Sequence, residues 1–383
     1  MAKNVLKSIG LYGQNNIGKS NLVQLFSLLK RVFLGEENFD FNRPFFKDTP
    51  ISNISITFKT NSDETWLKYD FSYDSIRSEF INEKLSEVKY YKTGYPNFRT
   101  VYERNRVDGI YTIRDVDSSD LLTLLPFKKP LLYCLSLEND RYDFLKPFLN
   151  SFKSFADSIV VLQMFNIPME KTIEILKEGN ERKKQFILSF VKNADLSVND
   201  FYYDDNLKID FNGKSEIKEE TLKKIPPLDQ LRLMTRYGNV NVPSIMFDSS
   251  GTKKIEAIAS YVYETLVEGK TLIVDELDNG LHYKLSRAIL SAFNSFANTR
   301  GQLVFTAHDI ELITCKHMMR KDQVYFSFRE DSLTSSLFCL KHATVENGGP
   351  RSTEDLLKHY NRGDFGYVPS PNFIKKLSQL IGD

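Results

Sequence analysis

The sequence predicts an α/β chain. A phosphate-binding strand, loop and helix at the front and a block of alternating strands and helices at the back enclose an antiparallel β meander and a mostly helical insertion. Three observations carry this: a glycine-lysine loop at Gly13–Ser20, runs of strand-like alternation between about residues 50 and 115, and renewed strand-helix alternation after Ser249. At roughly 100 to 200 residues per domain, 383 residues leave room for two or three domains or one domain with a large insertion. Apolar residues at 41% and aromatics at 13% exclude a disordered or fibrous chain. Lys and Arg (51) nearly balance Asp and Glu (50), so no global cationic field draws the chain to nucleic acid, and any DNA contact needs a local patch.

Element by element, Val5–Tyr12 is a β-rich run. The stretch after it places Leu22, Leu25, Phe26, Leu29 and Phe33 on one helical face. Ile51–Phe58, Trp66–Tyr73 and Thr100–Arg104 alternate as strands between Asn, Asp, Gly and Pro clusters. From about 140 to 200 the spacing turns helical, over Lys171–Lys177 and Lys183–Lys192. Residues 204–245, broken by Pro226, Pro227 and Pro243, read as hairpin and loop. A helix over Lys253–Leu266 stops at Gly269, and the strand Thr271–Val274, the helix Lys284–Phe296 and the strand Gln302–Thr306 follow as parallel α/β units do. The tail adds a hairpin, Gln323–Arg329 with Ser335–Lys341, and a short helix near Phe373–Leu380. The organisation expected is a core of 1–40 and 246–383, a meander over 41–135 and a mostly helical insert with return loop over 136–245.

Cys134, Cys315 and Cys339 are too few and too dispersed for a disulfide framework or a zinc knuckle, which suits a cytoplasmic chain. The longest apolar stretch, Ala156–Pro168, carries Asp157 and Gln163 and is shorter than the ~20 residues of a membrane span. Neither membrane insertion nor secretion is expected.

Gly13-Gln14-Asn15-Asn16-Ile17-Gly18-Lys19-Ser20 fits G-x-x-x-x-G-K-[ST] between a strand and a helix, where the motif belongs. Gly13 and Gly18 let backbone amides and the helix N-terminus wrap phosphate oxygens. Lys19 neutralises the β and γ phosphates of ATP, and the Ser20 hydroxyl suits Mg²⁺. Leu272-Ile273-Val274-Asp275-Glu276 is an apolar strand ending in two carboxylates at the edge where ligand binds in open α/β sheets. Asp275 is placed to hold Mg²⁺ and Glu276 to orient or deprotonate the attacking water. Ser249-Ser250-Gly251 precedes a helix as a second bare N-terminus able to receive phosphate; alone it reads equally as an ordinary N-cap. His308 ends the next strand and faces the ligand crevice as a γ-phosphate sensor, and His282 reads either as a dimer contact or as a plain helix N-terminal residue. Asp115-Val116-Asp117 looks like the acidic pair of a metal nuclease, but no glutamate-bearing strand precedes it. The basic clusters Arg182–Lys184 and Lys316–Lys321 read as solvated helix faces rather than phosphate contacts.

In this order the four motifs resemble the ABC-type ATPase head of SMC-like and RecF-like proteins. G-x-N-N-x-G-K-S over Gly13–Ser20, D-S-S-G-T-K-K over Asp248–Lys254, V-D-E-L-D-N-G-L-H over Val274–His282 and Thr306-Ala307-His308 are similar to one subgroup, the prokaryotic AAA/ABC-type ATPases of phage-defence and abortive-infection loci, which includes the ATPase subunit of PARIS systems. Tyr360–Pro369 is similar to that subgroup's ending. The resemblance implies ATP held by Gly13, Asn15, Asn16, Gly18, Lys19, Ser20 and Asn21 of one chain and Ser249, Ser250 and Gly251 of a second, with Mg²⁺ at Ser20 and Asp275 and catalysis by Glu276 and His308. It further implies a head-to-tail homodimer or higher oligomer, a separate toxin or nuclease effector, and a phage-derived trigger. A DNA-repair or recombination clamp is the alternative, which the balanced charge disfavours. A transporter subunit fits poorly with so long an insert. A head that binds ATP only to assemble stays open.

Overall fold

The computed structural model describes residues 5–37, 39, 50–59, 65–90, 95–106, 110–114, 127–136, 140–195, 197–207, 228–314, 318–330, 334–343, 353–362 and 364. The expected nuclease-like pair Asp115–Asp117, the helix near Phe373–Leu380, Cys315 and most of Tyr360–Pro369 lie outside these residues, as does part of Lys316–Lys321. Contacts divide the chain into two compact units: one formed by Met1–Val5, Ser20–Ile159 and Arg329–Thr334, the other by Leu6–Lys19, Val160–Phe328 and Ser335–Asp383.

In the first unit, β2 (Ile51–Lys59), β3 (Trp66–Asp74), β4 (Glu79–Tyr90), β5 (Pro96–Asn105) and β6 (Ile110–Ile113) form an antiparallel meander in sequence order. Alternation sends Leu67, Tyr69, Phe71 and Tyr73 of β3 to one face, where they are buried in a core with Leu29, Val32 and Phe33 of helix α1 (Lys19–Phe33) and Phe152 and Ala156 of α3 (Lys146–Ser158). Between α1 and α3 in the chain lies α2 (Leu131–Ser136), whose Leu131, Leu132 and Leu135 join that core. One ion pair is fully buried there: Arg104 bonds Glu83, and Glu83 also accepts from Tyr69 Oη (2.6 Å) and Leu131 N–H (3.1 Å).

The second unit is built on a six-stranded sheet in the order β14-β13-β1-β12-β11-β7, with β1 (Ser8–Tyr12), β7 (Ile159–Gln163), β11 (Thr271–Asp275), β12 (Gln302–Thr306), β13 (Val324–Arg329) and β14 (Ser335–Cys339). The pairs β1/β12, β1/β13 and β11/β12 are parallel. Parallel pairing in this unit and an antiparallel meander in the other make up the mixed α/β class that the sequence predicts. Strand β7 departs from that reading: the apolar run inside the stretch read as helical becomes an edge strand next to β11, because α3 ends at Ser158 and five extended residues follow.

Helix α6 (Ser250–Glu268) is packed between two cores along its middle. Ile258 and Val262 face the sheet core, while Ile255, Ala257 and Ala259 face a second core made with α4 (Glu170–Lys177), α5 (Glu181–Ala194), β8 (Asp200–Tyr203) and β9 (Leu233–Tyr237). Gly269 ends α6 at φ 81°, a left-handed cap that costs a glycine nothing. Strand β10 (Val240–Pro243) closes a hairpin on β9. Helix α7 (Tyr283–Asn294) adds Ile289, Leu290 and Phe293 to the sheet core, and α8 (Thr353–Arg362), which the sequence did not foretell, adds Leu356. Among the described residues no helix is long and apolar enough to cross a membrane.

Removing one partner of a buried pair strands a charge in an apolar core, whereas cutting an exposed pair leaves both ends to water. Arg104→Ala is therefore expected to cost about 3–5 kcal/mol. Lys84→Ala, which cuts the half-exposed pair with Glu103, is expected to cost under about 1 kcal/mol. Urea denaturation of the two variants checks this, and equal losses would refute it.

Candidate functional site

The loop between β1 and α1 curls because two glycines take conformations closed to other residues: Gly13 has φ 140° and Gly18 φ 90°. A Cβ on Gly13 would lie 2.5 Å from both Ile17 Cδ1 and the Ser327 carbonyl oxygen, so a side chain there has no room. Asn16 is also left-handed, at φ 61°, and Asn15 and Asn16 are exposed. Lys19 is buried and turns back into the loop, donating to the carbonyls of Gly13 (2.7 Å) and Gln14 (2.5 Å). Its pKa is lowered: burial outweighs the attraction of Asp275, Glu276 and Asp278, which favour the charged form. Ser20 and Asn21 follow in the first turn of α1, both exposed.

Strand β11 delivers Asp275 and Glu276, and neighbouring β12 holds both. Thr306 Oγ1 donates to Asp275 Oδ1 (2.6 Å) and accepts the N–H of Glu276 (2.7 Å), so its single hydroxyl is used in both directions. That bond helps hold Glu276 at φ 57°, a left-handed conformation costing a non-glycine residue on the order of 1–3 kcal/mol. Asn279 Nδ2 donates to Glu276 Oε2 (2.7 Å), and His308 Nε2 lies 3.7 Å from Glu276 Oε1. Asp278 Oδ2 accepts the backbone N–H groups of His308 (2.8 Å) and Asp309 (2.7 Å) and so fixes where the histidine leaves β12.

Ser249, Ser250 and Gly251 sit elsewhere in this unit's bonding. Helix α6 begins at Ser250, earlier than the sequence suggested, and Ser249 is its N-cap, accepting from Thr252 N–H (3.1 Å). The segment packs on the turn after Glu276: a Cβ on Gly251 would lie 3.3 Å from the Gly280 carbonyl oxygen, and Lys254 Nζ donates to the Asn279 carbonyl (2.9 Å). His282 caps α7, with Nδ1 accepting from Lys284 N–H (3.3 Å), as a helix N-terminal residue does. Sequence reasoning missed Thr306 and Asp278 as organisers. The available signal was a hydroxyl at the end of an otherwise apolar buried strand, a group that must find a partner.

Residues 8–314 match the family described as AAA domain, putative AbiEii toxin, Type IV TA system. The chain belongs to this family. No curated protein matches the sequence. Among solved structures it is similar to an SMC head domain from Thermotoga maritima, with 10% identity over 86% of this chain and 89% of that chain and a TM-score of 0.36. It is also similar to an SmcHead bound to the C-winged helix domain of ScpA, with 10% identity, coverages of 88% and 92% and a TM-score of 0.41. A third is an Smc head domain with an extended coiled coil bound to the C-terminal domain of ScpA derived from Pyrococcus furiosus, with 11% identity, coverages of 93% and 94% and a TM-score of 0.38.

The residues fit the nucleotide and divalent cation that an AAA domain implies. The loop is shaped for an anion, its lysine is dry, and among the described residues Gln14 Nε2 and Asp278 Oδ1 are buried without hydrogen-bond partners, leaving polar capacity unspent. Thr306→Val is expected to strand Asp275 Oδ1 and the Glu276 N–H and to cost about 1–3 kcal/mol, while Thr306→Ser retains stability. Chemical denaturation of both variants checks it, and equal behaviour would remove the bridging role.

Proposed function

We propose that the chain binds and slowly hydrolyses ATP to drive assembly within an antiviral defence system, where it holds or regulates a separate toxin or nuclease. The observation that carries this is Lys19, buried in a glycine-shaped loop whose carbonyls it bonds and near enough to Asp275, Glu276 and Asp278 for their charge to act on it, an arrangement suited to a phosphate and a cation between them. Membership in a family described by a toxin of a toxin–antitoxin system supports the defence context.

In this reading the loop amides and Lys19 hold the phosphates and release their carbonyl bonds to do so. Ser20 and Asp275 would hold Mg²⁺, which would supply charge neutralisation for the phosphates. Glu276, oriented by Asn279 and pinned through its N–H by Thr306, accepts a proton from the attacking water. His308 stands beside that carboxylate to sense the terminal phosphate. Ser249–Gly251 present phosphate-binding groups to the nucleotide of a second copy, which makes assembly depend on ATP.

Lys19→Ala is expected to abolish nucleotide binding. Glu276→Gln is expected to keep binding, lower turnover by about 10²–10⁴-fold and accumulate the assembled state, as read by equilibrium binding, phosphate release and light scattering. Unchanged turnover in both variants would sink the ATPase reading. Tagged Glu276→Gln purified from its native operon with ATP and Mg²⁺ should carry a stoichiometric protein effector. DNA carried without a protein partner would favour the repair clamp instead.

A further inference from the structure

Two carboxyl groups meet beneath the first turns of α6. Glu256 is fully buried on α6, and Asp248 is buried just ahead of its N-cap. Thr235 Oγ1 of β9 lies 2.5 Å from Asp248 Oδ2 and 3.2 Å from Glu256 Oε1. Tyr237 Oη donates to Asp248 Oδ1 (2.7 Å), and Ser244 Oγ bonds Glu256 Oε2.

These are four contacts, and the three hydroxyls bring three protons. Thr235 has one hydrogen and cannot donate to both acids. Among the described residues no lysine or arginine pairs with either carboxyl: Arg236 is engaged with Asp200 (3.0 Å), Lys254 with Asn279 and, across α6, Lys171 with Glu264 (2.8 Å), while Lys253 of α6 makes no ion pair with Asp248 or Glu256. Two bare carboxylates sharing a dry site without a cation is the arrangement in which one acid keeps its proton.

We propose that Glu256 keeps its proton at neutral pH inside this carboxyl pair, and that this proton locks β9, the short helix Ser244–Phe247 and α6 into the arrangement that presents Ser249–Gly251. Burial, together with the bond to Asp248, pushes the Glu256 carboxyl well above the carboxylate range, against the opposing bonds from Ser244 and Thr235. The other ionisable groups facing the cluster are acidic. Burial and then Asp248 push the Tyr237 phenol up, and Asp195 at the end of α5, although burial raises it, is held low by Ser197 while it accepts from Thr252 Oγ1 (2.9 Å). Neither can serve as a counter-cation.

The group is an acid with a raised folded value, so its stabilising effect is complete below the ordinary carboxylate range and is lost as pH rises towards the folded value. Within that window the folding constant of the wild type is expected to fall about tenfold per pH unit relative to Glu256→Gln, whose amide reproduces the protonated acid without titrating. Infrared spectroscopy should show a protonated-carboxyl band in the wild type that Glu256→Gln lacks. Parallel stability curves or a missing band would overturn the retained proton.

The consequence for presentation of Ser249–Gly251 rests on the ATP-driven assembly proposed above. Wild type should lose nucleotide-dependent assembly at alkaline pH while Glu256→Gln keeps it, and identical pH profiles of assembly would overturn the locking role. Should the wild type fail to assemble with ATP at any pH, the assembly reading falls, and the stability curves still decide the proton.

Discussion

One hydroxyl, that of Thr306, organises the edge of the sheet where β11 and β12 end. It gives its proton to Asp275 and takes the N–H of Glu276, so two acids adjacent in sequence leave β11 in different directions. Without it Asp275 is free to rotate and Glu276 has less reason to stay in a left-handed backbone conformation. The arrangement also explains the strand order. Because β12 lies between β1 and β11, the residue that fixes the acids belongs to the strand that separates them from the phosphate loop. The same strand then releases His308 beside Glu276, with Asp278 clamping its exit.

The front and back of this unit are legible in the sequence because their signals are local. Glycines at fixed spacing around Lys19, an apolar strand ending in two acids and a bare helix start are each written within about ten residues, and each describes its own backbone. Other features are written non-locally. Strand β4 was missed because a bulge opposite Ser72 and Tyr73 interrupts its alternation, and β7 because it grows directly out of the end of α3. Thr306 carries no mark of its partners, which lie thirty residues away in the chain. Ser249 shows the converse: the structure gives it the plain N-cap role on α6, a role that does not preclude a further contact.

Helix α6 ties these pieces together mechanically. Packed between two cores along its middle, from Ile255 to Val262, it cannot roll without opening one or the other. Its far end feeds through Gly269 straight into β11, so Ser249–Gly251 and the two acids belong to one continuous rod and strand.

The near end of α6 closes the circuit. Lys254 holds the backbone and side-chain oxygens of Asn279 (2.9 and 3.3 Å), and Asn279 holds the Glu276 carboxylate (2.7 Å). A shift of the first turn of α6 therefore pulls on Asn279 and then on Glu276, through two consecutive steps, the paired Lys254–Asn279 contacts and then the Asn279–Glu276 bond. Coupling of this kind needs an element with two discrete arrangements rather than a long wire of contacts. The carboxyl pair under α6 supplies such an element, because a buried site that gains or loses a proton has two states and nothing between them. In the proposed ATPase reading, occupancy at Ser249–Gly251 and orientation of the Glu276 carboxylate are thereby two readings of one rigid-body position.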